Sequence, residues 1–292
     1  MKNLFYLIFL AFTLTIFSCE NKGVRPAKKN DLEKENLKGK VKSIVTMNVE
    51  KKETKAATFN EQGNLTGEYR YMKIMDEFYP VKTYEYHSNG NLSMVTEFTD
   101  AGEPKKKQKF NDKGHITEEY SCFATFENGK KVFKEKKTYA YTTNEYGDVV
   151  KKASLTNDSY TEYEYDAAGN VTLESYVDRS PSLNTSYSRK FKHKYDGDGR
   201  LIWKEYIAMG RLTADEYFYD ENGRVIQIKY YSMKKKEGSN KEELALQWDT
   251  KMEYDEHNNN TLRGLYEYDR KGNWIECIDP YDRYVRDITY YH

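Results

Sequence analysis

From residue 38 to the C-terminus, apolar and polar positions alternate with a period of two, and the alternation restarts at short intervals. Glu162-Tyr163-Glu164-Tyr165 and Lys82-Thr83-Tyr84-Glu85-Tyr86 are clear runs. A period of two puts the tyrosines on one face of a strand and the charges on the other. Tyr and Phe also suit a pleated, half-buried surface. Each run ends in an aromatic residue, a turn former, two mostly polar residues, Gly, a polar residue and an apolar one. This unit occurs at 59–65, 86–92, 110–116, 165–171, 195–201, 219–225 and 268–274. A stretched copy spans 141–149, and a decayed one at Tyr254-Asp255 has Asn258 in place of Gly.

Asp or Asn at the turn start can bond its own backbone two residues on. Gly takes a positive φ without steric cost. The successive glycines lie 22 to 33 residues apart, the spacing of one supersecondary unit. The expected fold is therefore all-β: an antiparallel meander of repeated hairpins forming one long twisted sheet, curled in part. Residues 41–45 read as the first strand, with no partner upstream and so at an edge guarded by lysines. Glu127-Asn128-Gly129-Lys130 is a further hairpin signal. Leu201-Ile202-Trp203 and Val225 to Ile228 are apolar on both faces, which suggests curling or a second layer there. Residues 233–247 break the pattern and read as an insertion between strands, with 241–248 either a helical turn or a strand.

The units YEYDAAGNV, KYDGDGRL, FYDENGRV and YEYDRKGNW resemble the YD (Rhs-type) repeat family over roughly residues 40–290. In large members of that family the repeats wind a sheet into a shell around a cargo. Nothing here matches their self-cleaving core or toxic C-terminal domain, so the resemblance implies the sheet and not the cargo.

Before the repeats stand two other segments. Residues 1–18 read as a signal peptide: Lys2 is positive, Leu4 to Phe17 is almost wholly apolar, and the run is short for a membrane span. Ile16-Phe17-Ser18-Cys19 resembles a bacterial lipobox. That resemblance implies cleavage before Cys19 and diacylation of its thiol, which anchors the chain to a membrane. The alternative is an ordinary secretory signal in which Cys19 is incidental. Glu20 in place of Asp favours delivery to the outer membrane, on the periplasmic or the outer side. Residues 19–37 are polar and read as the lipidated Cys followed by a flexible tether, with a short helix over 31–37 as an option. The repeat domain is then 38–292.

Charged residues make up 32% of the chain and aromatics 15%, too polar for a thick aliphatic core and too aromatic for disorder. The formal net charge is zero, which argues against nucleic acid as a partner. Cys122 and Cys277 could pair only if the fold brings them close. No Cys/His spacing implies a metal, and no cofactor motif is present. Asp196-Gly197-Asp198-Gly199 lacks the further ligands of a calcium loop and matches a repeat turn. His87, His115 and His257 lie in or beside turns, where a solvated ring is expected. No pair of carboxylates stands out for hydrolysis, and the chain reads as no enzyme. The aromatics are the best functional lead: an exposed ladder could stack on sugar or grip a protein. Repeat tyrosines are better explained by cross-strand packing. Trp203, Trp248 and Trp274 are less determined by the repeat and are the candidate binding residues. The functional expectation is a non-catalytic envelope lipoprotein that binds carbohydrate. The alternative is a structural or protein-interaction scaffold, with an envelope hydrolase last.

Overall fold

The repeat unit closes as a five-residue loop. In the computed structural model, which describes residues 23–25, 29–180, 184–208, 210–235, 242–262 and 264–292, each turn is built alike. At 166–170 the Asp166 amide donates to the Asn170 carbonyl and the Gly169 amide donates back to the Asp166 carbonyl. Asp166 Oδ1 accepts from the amides of Ala168 and Asn170 at 3.0 and 2.9 Å. Gly169 sits at φ 84° and Asn258, in the decayed copy, at φ 68°. Asn tolerates this left-handed region better than most residues, so the fold keeps the turn where the glycine is lost. After each loop the ladder slips: Glu164 faces Leu173 while Tyr165 faces Val171. A bulge of this kind increases local twist, and here it recurs with the repeat.

Nineteen strands result among the described residues. In chain order they are β1 (Val41–Asn48), β2 (Glu53–Phe59), β3 (Leu65–Met72), β4 (Glu77–Tyr86), β5 (Leu92–Phe98), β6 (Pro104–Phe110), β7 (Ile116–Glu127), β8 (Lys130–Thr143), β9 (Val149–Ser154) and β10 (Ser159–Tyr165). There follow β11 (Val171–Asp178), β12 (Thr185–Tyr195), β13 (Leu201–Ala208), β14 (Arg211–Tyr219), β15 (Val225–Lys235), β16 (Glu242–Lys251), β17 (Leu265–Tyr268), β18 (Trp274–Ile278) and β19 (Arg283–Tyr290). All belong to one antiparallel meander that is not closed into a barrel. Among the described residues no second layer covers β13 or β15: Ile226 is exposed and Trp203 half-buried. Residues 242–248, part of the stretch left as a helical turn or a strand, belong to β16, which pairs β15 with one register shift at Tyr230/Tyr231; the break expected over 233–247 thus falls largely within paired strands at 233–235 and 242–247. Asn128 and Gly129, both at positive φ, close the long hairpin of β7 and β8.

The first strand is not an edge. β1 pairs β2 on one side and β19 on the other, with Ile44 between Ala57 and Ile288. The lysines of this stretch therefore do not guard a free edge. Among the described residues β16 and β17 share no ladder register, and the bridge from Tyr254 to Asn260 and the turn at 255–259 lie between them.

The core also differs from expectation. Leu32 and Leu37, in the segment read as a tether, are buried with Val41, Ile44 and Phe59. Helix α1 (Asp31–Lys34) carries a capping box in which Asn30 and Glu33 satisfy each other's amides. The segment lies along the row of turns and bonds them in several places. Val24 donates to the Gly199 carbonyl and Leu32 to that of Gly63. Asn36 Nδ2 donates to the His257 carbonyl at 2.6 Å, and the Lys38 amide donates to Asn273 Oδ1 at 2.6 Å. Residues 23–25 and 29–37 are thus bound to the repeats, not free. Residues 1–22, with Cys19, lie outside the described residues, as do 181–183 and 236–241. No helix among the described residues is long and apolar enough to cross a membrane.

Candidate functional site

Most of the tyrosines that end a unit reach the preceding turn, in one of two ways, while Tyr141 bonds Glu119 on β7 instead. Where the turn has Asp at its start and Asn after its Gly, both grip the next hydroxyl. Tyr195 donates to Asp166 and accepts from Asn170 at 2.8 Å. Tyr268 does the same with Asp255 and Asn259, and Tyr290 with Asp269 and Asn273. Where Arg follows the Gly, its Nε takes the second carboxylate oxygen, as in Arg200 with Asp196 and Arg224 with Asp220. The next hydroxyl then moves to a carbonyl: Tyr219 to Leu201 at 2.6 Å and Tyr254 to Val225 at 3.0 Å. Burial pushes the Tyr290 hydroxyl up to about 12, and the bond to Asp269 adds to it. The repeat tyrosines are therefore occupied in joining turn to turn.

Histidines fill similar places. His193 is almost wholly buried, with Nδ1 3.0 Å from Asp166, and burial lowers its pKa. The His257 ring stands 4.1 Å from that of Tyr268. His87, His115 and His257 are half-buried between turns, where solvated rings were expected. Cys122 and Cys277 are free, and burial raises both thiols. Among the described residues no group of His, Cys, Asp or Glu could hold a metal. The Asp196 loop is an ordinary repeat turn.

The three tryptophans do not form one ladder. Trp203 faces Glu216, which faces Lys229; Trp248 faces Tyr230, the next residue along β15, and so lies on the other side of the sheet. Trp248 is 55% exposed and stacks on Tyr230 with 3.7 Å between centroids. Trp203 packs on Tyr231. Trp274, in β18, carries the Arg286 guanidinium 3.4 Å from its ring centroid.

Trp274 thereby adjoins a cavity. A space of about 470 Å³ lies between α1 and the strands β1 to β4 and β19, a size typical of small-molecule sites. Leu37, Ile44, Phe59 and Leu65 supply its apolar wall, and Thr46, Lys55, Arg70 and Arg286 line it as well. Arg286 Nε and Nη1 are buried without a hydrogen-bond partner. Burial draws the Arg286 pKa down to about 10, with the charge of Glu35 acting against it. The sequence reading missed this site. Its one local signal was Arg286 itself, a charge on the tyrosine-rich last strand.

No family model matches the chain, and no curated protein matches it. Solved structures do. The TcdB2-TccC3-Cdc42 complex is 10% identical, with 72% of this chain and 14% of that one covered and a TM-score of 0.23. TcdB2-TccC3 is 11% identical, covering 78% and 14% at a TM-score of 0.23. The chain thus spans about one seventh of the length of those chains. A porin-like protein from Bacteroides uniformis is 10% identical, with 85% of this chain and 96% of that one covered and a TM-score of 0.24.

Proposed function

We propose that this protein is a non-catalytic, lipid-anchored module of the bacterial cell envelope, a small member of the YD-repeat class, whose sheet holds a carbohydrate ligand. The observation that carries the reading is the cavity under α1. It is of ligand size, its walls belong to hydrogen-bonded strands, and it holds a buried guanidinium with unused donors. The tyrosine ladder recedes as a binding surface, because its hydroxyls join the turns. Trp274 contributes through Arg286, and Trp248 offers a second, more exposed platform.

Acylation at Cys19 would place the row of turns close to the bilayer. Val24, five residues on, is already bonded to the turn at Gly199, and five extended residues reach about 17 Å. The outer membrane is the proposed location. A glycan array probed with the full-length chain tests the ligand class. Saturable binding that is lost with Trp274→Ala but kept with Trp203→Ala supports the cavity. Co-purification of one envelope protein, with a blank array, favours the scaffold reading. Hydrolysis has less support: burial raises Asp215, but its cross-strand neighbours are Lys204 and Tyr230 and not a second carboxylate.

A further inference from the structure

Four side chains that line the cavity stand in one cross-strand row. Thr46 faces Arg286 on β19 and Lys55 on β2, and Lys55 faces Arg70 on β3. Directly opposed residues share a face of the sheet, so three cations and one hydroxyl point the same way. Strands lie about 4.8 Å apart, and the row from Arg286 to Arg70 crosses three such steps, about 14 Å. Lys55 directly opposite Arg70 is an unfavourable pair in the absence of an anion.

Three acids, Asp31, Glu35 and Glu68, line the same cavity; Glu35 acts on Arg286 by its charge but forms no ion pair with it among the described residues, and the other two are engaged elsewhere. Asp31 is engaged by Lys34 and by the Leu65 amide. Glu68 accepts from the Tyr84 hydroxyl at 2.5 Å. Arg70 meets Asp100, whose side chain is 94% exposed. Lys55 has no ion pair among the described residues, and Arg286 holds two buried donors without acceptors. Buried charges are ordinarily paired, so an acceptor is missing from the cavity end of the row. A single small anion could meet one or two of the cations and would leave the rest of a row of this length unanswered.

Resting on the carbohydrate reading above, we infer that the cavity takes an acidic oligosaccharide, with at least two carboxylates received by Arg286, Lys55 and Arg70 along the row. Arg286 packs on Trp274 at the inner end, and its planar fork of donors suits a carboxylate. Lys55 and Arg70, both exposed, receive the acidic groups further out. Thr46 supplies a hydroxyl between them, and Ile44 and Phe59 an apolar wall for the sugar rings.

The test is calorimetric titration of the full-length chain with trigalacturonate, its methyl ester and inorganic phosphate, at low and high salt. The acid should bind at least tenfold more tightly than the ester, with the advantage shrinking as salt rises. Lys55→Gln and Arg70→Gln should each weaken the acid about tenfold and leave the ester unchanged. Without ligand, Lys55→Gln should melt no lower than the parent, because it relieves the opposed cations. Arg286→Gln should abolish the preference for acid, but the Lys55 and Arg70 variants carry the test if that protein folds poorly. Equal binding of acid and ester overturns the inference and leaves the carbohydrate reading standing. Phosphate binding as tightly as trigalacturonate, with the same sensitivity to Lys55→Gln, overturns the oligosaccharide and retains only an anion. Absence of binding to acid and ester by folded protein, with a blank glycan array, overturns both.

Discussion

Replacing Tyr290 by Phe removes one oxygen from a contact shared by two turn residues, and its cost can be set against a matched control. The Tyr290 hydroxyl donates to the Asp269 carboxylate and accepts from Asn273 Nδ2 at 2.8 Å. A hydrogen bond to a charged group contributes about 1.5–3 kcal/mol and a neutral one about 1. Asn273 is buried but keeps the Lys38 carbonyl as an acceptor at 2.8 Å, so the second bond is only partly lost. The expected loss is about 2–3 kcal/mol. Tyr219→Phe is the control. It removes one neutral bond to the Leu201 carbonyl, for about 1 kcal/mol. Urea denaturation of both variants, with hydrogen exchange at Gly272 and Asn273 to catch local opening, gives the difference. Repeats can unfold in steps, so the exchange arm matters. The pH dependence sharpens the test. Burial alone would raise Asp269, but the Tyr290 bond and the turn amides outweigh it and hold it low. A depressed carboxylate contributes stability above its unfolded value of about 3.9 and loses it as pH falls through the lower folded value. The extra cost of Tyr290→Phe should therefore fade in that acid range. Equal losses in the two variants at neutral pH would refute the two-mode account of the turns.

Gly90→Ala isolates backbone strain, since φ is 81° and nothing lies within 4 Å of the added carbon; about 1 kcal/mol is expected. Gly169→Ala should cost about 2 kcal/mol, because its carbon also meets Arg25 Nη1 at 2.7 Å and strains the Arg25–Asp148 pair; equal melting shifts would dismiss that pair. Above pH 10 the protein should lose stability steeply. Tyr217 and Tyr290 by burial, and Tyr231 by its bond to Glu216, are held up to about 12. The folded state then keeps protons that the unfolded chain releases from pH 10 upward, and a flat denaturation midpoint from pH 9 to 11.5 would contradict this. Cys19→Ala should abolish acyl labelling and release the chain from membranes; retained label would sink the lipoprotein assignment.

The turn chemistry was legible because it is local. Asp, Gly and the alternating flanks act within ten residues, so the strands and their order as a meander could be read directly. The junction of β1 with β19 could not. The alternation around Ile44 looks the same whether its second neighbour is water or a strand from the far end of the chain. The packing of 30–37 was half legible: Asn30 and Glu33 have capping-box spacing, but Leu32 and Leu37 are isolated among charges and give no periodic signal. Arg286 escaped for a related reason. An arginine on a strand is ordinary, and only the register places it in line with Lys55 and Arg70.

The pairing of Ile44 with Ile288 also dictates when the protein can exist. β1 is synthesised long before β19, one of its two partners. An emerging chain can lay down hairpins one after another, each beside its predecessor. One side of β1 must wait, bare, until residue 290 has been made and, for an exported protein, delivered across the membrane. Non-local pairing of this kind is slow, and an unpaired edge invites other chains meanwhile. A premature stop before Arg283 would therefore leave an open seam beside the first strand rather than a shorter version of the same sheet.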